Sequence, residues 1–319
     1  MSDLLKRALR HLPTLLGLLL FAGAIYVVQK EFRTLKFADV RAALEAIPRH
    51  DLLVSAAWTF LAYFILTFYD RLATYYAGKP VSYLRVCFAS FCAYTLAHNL
   101  GFAAVSGAAV RYRLYAHWGL NALQIGKVVA FCSLTFALGG MVLGGVILLV
   151  EPESIPVLGP RVPTAVMYAI GIGLWALVLL YVVLAKMLGT IRLFGHAIEL
   201  PGWRMALVQV VLATVDVAVT AAIFYALLPA VPGLTFLRFL GVYVASYTAG
   251  LAANIPGGIG VFDTAMLLGL APWLEPPQIV GAIVVFRLYY YIIPLFLAGT
   301  LFIGHELMLR GRSVLASRE

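Results

Sequence analysis

Eight charge-poor apolar stretches run along the chain, at about 13–29, 52–69, 82–105, 122–150, 163–185, 205–228, 236–272 and 278–304. A helix of about 20 residues crosses the ~30 Å hydrocarbon core of a bilayer, so each stretch is long enough to span it. Backbone amides in hydrocarbon have no water to bond to, and continuous apolar stretches of this length satisfy them as helices. Composition agrees with that reading. Of 319 residues, 63% are hydrophobic and 12% charged, against roughly 45–50% and about 25% in soluble domains. Little chain remains between the stretches, which excludes a membrane anchor carrying a separate catalytic domain of ordinary size. The expected fold is an all-α polytopic membrane protein, a single integral membrane domain over 1–319.

Two stretches are broken internally. After Leu96 the sequence runs AHNLGFAAVSGAAVRYRLY, with Asn99, Gly101 and Gly107; after Ala249 it runs GLAANIPGGIGVFDTAMLLGL, with Asn254, Pro256, Gly257, Gly258 and Gly260. Glycine weakens a helix through backbone entropy and proline removes an amide donor. Broken backbone at membrane depth is tolerated only inside protein or beside a wet cavity. Both segments therefore read as re-entrant or broken helices. Asn99 pairs with Asn254, and the stretches starting at 13, 52 and 122 pair with those at 163, about 204 and 278. The offsets of about 150–156 residues define two similar halves, about 10–150 and 160–308.

Charge placement orients the halves. Lys6, Arg7 and Arg10 at the start and Arg310, Arg312 and Arg318 at the end put both termini in the cytoplasm by the positive-inside bias. If each broken segment enters and leaves on one side, Arg71, Lys79, Arg85, Arg111, Arg113, Lys186, Arg192 and Arg204 are also cytoplasmic, and the acidic EPESIPVLGP loop at 151–160 is outside. The result is six crossings and two re-entrant units entering from opposite faces, an inverted repeat of the transporter kind. Eight full crossings are the alternative. Residues 30–50 depart from the bias, because five bases there fall outside; four acids nearly balance them, and Leu35, Phe37, Val40, Leu44 and Ile47 could line one face of an interfacial helix. The first apolar stretch has a basic leader but no small-x-small cleavage site, so a retained helix is expected.

The net charge of +9 lies between apolar segments, where it orients helices and meets anionic headgroups; no nucleic-acid partner is expected. Cys87, Cys92 and Cys132 match neither a CxxC motif nor a zinc-ligand spacing, and His98 alone of the histidines sits deep in an apolar stretch, as a packing residue. No GxSxG, HExxH or P-loop is present, and no metal or cofactor is expected.

Charges within the spans are the informative residues, since each costs about 2.5–3.5 kcal/mol at a helix centre on the insertion scale. Asp216 sits mid-span in VLATVDVAVTAAIF, as an interhelical hydrogen-bonding group or a functional one. Asp263 follows the PGGIGVF break and could cap the half-helix after it or line a cavity. Arg287, beside Tyr289, Tyr290 and Tyr291, has the planar fork that suits a phosphate and could equally pair with Asp216 or Asp263. Arg111 and Arg113 follow the first break, as cytoplasmic anchors or phosphate ligands. Asp70 and Arg71 read as an interfacial ion pair. Half-helix ends expose unpaired amides suited to an anion.

In order, the YD pair at 69–70, the NxLGF…GxxxR stretch from Asn99 to Arg111, the NIPGGIGVFD break at 254–263 and FRLYYYIIP at 286–294 resemble the amino-terminal membrane region of bacterial lysylphosphatidylglycerol synthases. The resemblance covers most of the chain from about residue 50. It implies a multi-pass protein of the bacterial inner membrane that moves aminoacylated phosphatidylglycerol between leaflets and contributes to resistance to cationic antimicrobial peptides. Matched positions are Asp70, Asn99, Gly101, Gly107, Arg111, Asn254, Pro256, Gly257, Gly258, Gly260, Asp263 and Arg287. Family members continue into a cytosolic lysine-transferring domain that this chain does not contain, so the resemblance implies the translocase module or a stand-alone relative.

The expected function is a lipid translocase. Its phosphate is met by Arg111 or Arg287 and any aminoacyl cation by Asp216 or Asp263, with Asp70, Asn99, Arg113, Asn254 and Tyr290 completing the site. Its partners are phospholipids, with a separate aminoacyl-lipid transferase and a second copy of the chain as further candidates. The alternatives are a membrane-embedded enzyme using Asp216 or Asp263 as general base, and an accessory subunit of a transferase.

Overall fold

The computed structural model describes Ala22, Tyr26 and residues 37–316, except 101–102, 156–160, 194–195 and 254. Most of the first apolar stretch, Gly101 and Asn254 thus lie outside the described residues. The chain forms α1 (Phe37–Ala46), α2 (Arg49–Tyr76), α3 (Tyr83–Leu100), α4 (Ala103–His117), α5 (Ala122–Val150) and α6 (Thr164–Met187). An antiparallel hairpin of β1 (Thr190–Leu193) and β2 (His196–Glu199) leads into α7 (Trp203–Tyr225), α8 (Phe236–Ala252), α9 (Val261–Leu270), α10 (Pro276–Arg287) and α11 (Ile293–Ala316).

Helices α2, α5, α6 and α7, and the run Pro276–Leu309 through α10 and α11, are long and apolar enough to cross a membrane; α8 and α9 belong to shorter apolar segments. The architecture is that of an all-α polytopic membrane protein, and the β1–β2 hairpin is the addition to it. The hairpin falls in the polar link between two spans, where water satisfies the outer edges that hydrocarbon would leave unpaired.

Both broken segments return to the face they enter from. Lys79, just before α3, lies 3.6 Å from the Cβ position of Gly119, just after α4. Gly233, just before α8, lies 3.4 Å by the same measure from the Trp273 indole nitrogen, just after α9. The two mouths sit at opposite ends of α5. Asn121 caps its start, beside Gly119, with the Asn121 side chain accepting from the Gln124 amide and the Gln124 side chain accepting in return. At its other end Glu151 pairs with Arg238, whose Nη1 donates to the Gly233 carbonyl. Twenty-nine residues rise about 43 Å, more than the hydrocarbon thickness. Two re-entrant hairpins therefore enter from opposite faces, as the charge pattern predicts.

The centre is tightly packed around α5 and α7. A Cβ on Gly139 would collide with the Ala213 carbonyl oxygen, so the two backbones touch there, as small residues allow between membrane helices. By contrast α6 is the least buried of the spans and turns Ile170, Ile172 and Leu179 outward. Helix α1 lies against α10 at the face of the second mouth. Leu44 and Ile47 pack on the core while Ala42, Glu45 and Ala46 stay exposed, the one-sided burial expected of an interfacial helix.

Candidate functional site

The two hairpins meet away from their mouths, and the turn of the second holds no buried residue. The end of α3 packs against the turn Pro256–Gly258 that follows α8. That turn exists because Gly257, Gly258 and Gly260 take φ of +60°, +63° and +81°, a region side chains with a Cβ rarely enter. Beside this contact the last span loosens into a π turn, Leu288–Ile292. Pro294 has no amide to give the Tyr290 carbonyl four residues earlier. The Tyr63 hydroxyl of α2 donates to that carbonyl at 2.9 Å, and Asn99 Nδ2 donates to the next one, on Tyr291, at 3.2 Å. Asn99 is thus a buried strut between the first hairpin and the last span, also donating to the Thr95 carbonyl.

One Arg–carboxylate pair fixes the returning arm of each hairpin to a neighbouring helix: Arg111 of α4 to Asp70 of α2, and Asp263 of α9 to Arg287 of α10. In the first, Arg111 Nε and Nη2 donate to the two Asp70 oxygens, each at 2.8 Å, and the Tyr115 hydroxyl donates to Asp70 at 2.8 Å. The guanidinium lies 4.5 Å over the Tyr94 ring. Side-chain exposures of 4% for Arg111 and 0% for Asp70 close this pair off. Gly107 leaves room for it, since a Cβ there would stand 3.1 Å from Arg111 Nη1. In the second pair, Arg287 Nη2 donates to both Asp263 oxygens at 2.7 and 2.8 Å, and Nε to Oδ1 at 3.2 Å. Asp263 also accepts from the Gly260 amide at 2.9 Å, capping α9. Here the Asp263 side chain is 23% exposed and that of Arg287 8%. The second pair is open on its Asp263 side, and the first is closed on both.

Arg287 thus pairs with Asp263 and not with Asp216. The interfacial pair of Asp70 with Arg71 does not form: adjacent helical residues point to different faces, and Arg71 instead donates to the Val81 carbonyl and the Tyr75 hydroxyl. Arg113 bonds Glu306 at 2.7 Å, tying α4 to α11. Asp216 stands apart, accepting from the Tyr69 hydroxyl at 2.9 Å. Tyr290 is buried, with its ring stacked 5.0 Å from that of His98. The three cysteines are free thiols, Cys92 and Cys132 buried. Tyr63, Tyr115 and Glu306 are the site partners that sequence reasoning passed over, and Tyr69 appeared there only as half of the YD pair, without a role. Among the described residues no group of three or more His, Cys, Asp or Glu side chains is arranged to hold a metal ion.

Residues 14–298 match the family described as the lysylphosphatidylglycerol synthase TM region. The chain belongs to this family. Its similarity extends across two proteins of comparable length: it is 32% identical to the uncharacterized Synechocystis protein slr0712 and 29% identical to the Escherichia coli inner membrane protein YbhN, covering 88% of each. It is also 24% identical over 95% of its length to the phosphatidylglycerol lysyltransferase of Bacillus subtilis, of which it covers 35%. This lysylphosphatidylglycerol synthase TM chain thus lies in a membrane, and its family membership points to a lipid-related function there.

Proposed function

We propose that this chain moves an anionic phospholipid between leaflets, with phosphatidylglycerol and its aminoacylated form as cargo. The observation that carries the reading is the Arg287–Asp263 pair, open on its Asp263 side, at the meeting point of two hairpins that enter from opposite faces. A headgroup bearing a phosphate and an ammonium can replace that pair charge for charge. Its phosphate takes the planar fork of Arg287, and its ammonium takes Asp263. Buried charge is then never left alone, the condition under which breaking a desolvated pair is costly. The sealed Arg111–Asp70 pair holds the first hairpin in place, and Asn99 and Tyr290 shape the wall. Phosphatidylglycerol lacks the ammonium and leaves Asp263 to its Gly260 cap.

In this reading the protein sits in a bacterial inner membrane with both termini cytoplasmic. The α3–α4 mouth then opens to the cytoplasm and the α8–α9 mouth to the outside. A separate transferase supplies aminoacylated lipid, and the activity supports resistance to cationic antimicrobial peptides.

The test is reconstitution of the full chain in vesicles containing fluorescent short-chain phosphatidylglycerol, with leaflet exchange followed by quenching from outside. Exchange faster than in empty vesicles, and slowed by Arg287→Gln, is expected. Exchange no faster than in empty vesicles overturns the reading.

A further inference from the structure

We infer that Asp216 is a proton-binding site buried between the two halves of the molecule. The inference deepens the translocase reading by identifying an ion that could drive it, and it rests on that reading only for what the proton moves.

Asp216 lies near the middle of α7 and is 3% exposed. Tyr69 donates to its Oδ2 at 2.9 Å, while Oδ1 has no partner. The elements packed on α7 surround it with polar groups of several kinds. Helix α2 presents Tyr69, and α5 brings Cys132 beside it. Helix α6 offers Tyr181, which donates to Gln209. Tyr243 and Tyr247 of α8 and Tyr290 after α10 come within electrostatic range. His98 of α3 is reached through its stack on Tyr290. The guanidinium of Arg111, beyond the Tyr94 and Tyr69 rings, is held by Asp70. None of these supplies a cation to Asp216.

An ionised carboxylate taken out of water without a countercharge is far more costly than a neutral one, and binding a proton removes the charge. A second observation points the same way. The Tyr243 hydroxyl and the Ser246 hydroxyl, one turn apart on α8, are also buried without a partner, although more than about 90% of buried polar groups are paired in folded proteins. Tyr243 stacks on Tyr247, 5.9 Å away, and Tyr247 is only half-buried. The unpartnered Tyr243 hydroxyl, on the second re-entrant hairpin, is in electrostatic range of the carboxyl. In the step itself the Asp216 carboxylate gains one proton to become the neutral acid, and the same O–H bond breaks on release. No other bond changes.

The experiment is pH-difference infrared spectroscopy of the full chain in lipid, with leaflet exchange measured on the same vesicles. A protonated-carboxyl C=O band should grow as the pH falls, be lost in Asp216→Asn, and move in frequency in Tyr69→Phe, a variant that keeps the carboxyl. Absence of any band sensitive to Asp216→Asn overturns the proposal, as does a band displaced by sodium at constant pH, which would make this a sodium site. Should the band appear while no lipid moves, the proton site stands and the translocase reading falls.

Discussion

Arg111 of α4 and Asp70 of α2, 41 residues apart, meet side-on through two 2.8 Å contacts in a sealed site where the first hairpin packs on α2. Removing one partner of such a buried pair leaves a bare charge, at about 3–5 kcal/mol, whereas replacing both by apolar groups of similar volume is often neutral. Arg111→Met and Asp70→Leu should each strongly lower the thermal stability of the purified chain in detergent. The double variant should recover most of the loss. Two additive losses would show that each side chain acts through other contacts.

The second pair behaves differently because it is open on its Asp263 side. Arg287→Lys keeps the charge and gives up the fork that engages both Asp263 oxygens. Hydrogen bonds to charged groups contribute about 1.5–3 kcal/mol, so lipid exchange should fall roughly ten- to hundred-fold. The chain should still purify as a folded protein by size-exclusion chromatography. Wild-type exchange rates in Arg287→Lys would remove this arginine from the headgroup path.

The second break was legible in the sequence because glycine and proline act locally, where they stand, but Gly107, read as part of the first break, sits inside the continuous helix α4. The opposed hairpin mouths were legible too, through the bias of Arg and Lys toward one face. Ion-pair partners were legible only in part: Asp263 was one of two candidates for Arg287, while Asp70–Arg111, 41 residues apart, was not foreseen, because which charges meet depends on how each hairpin folds back. Adjacency even misdirected the reading, since Arg71 follows Asp70 and turns away from it. Tyr115 was hidden among 17 tyrosines, and the YD pair marked Tyr69 without showing its partner. Tyr63 alone had a signal at a distance, in the proline that deprives the Tyr290 carbonyl of its helical donor.

That signal gives a prediction of its own. Tyr63→Phe leaves the Tyr290 carbonyl without its 2.9 Å donor, and an unmet buried carbonyl costs about 1–3 kcal/mol. Pro294→Ala restores an amide four residues on. A double-mutant cycle by thermal unfolding should show Tyr63→Phe to be less damaging in the Pro294→Ala background. Equal damage in both backgrounds would mean that Tyr63 supports the last span by packing alone.

Gly139 offers the sharpest steric test. The Cβ of an alanine there would collide with the Ala213 carbonyl oxygen and stand 3.1 Å from the Ala213 Cβ. Overpacking of this kind costs typically about 1–3 kcal/mol, because α5 and α7 must move apart. Were the side chain of Ala213 the obstacle, Ala213→Gly would relieve it. The closer contact is with the carbonyl, which every residue carries, so Gly139→Ala with Ala213→Gly should stay as unstable as Gly139→Ala alone. Separating α5 from α7 also disturbs the bond from Gln209 to Thr135, so the same variants should lose protection of those two helices in hydrogen exchange while α6, on the lipid-facing rim, is unchanged. Rescue by Ala213→Gly would place the contact between side chains and refute the backbone-to-backbone approach.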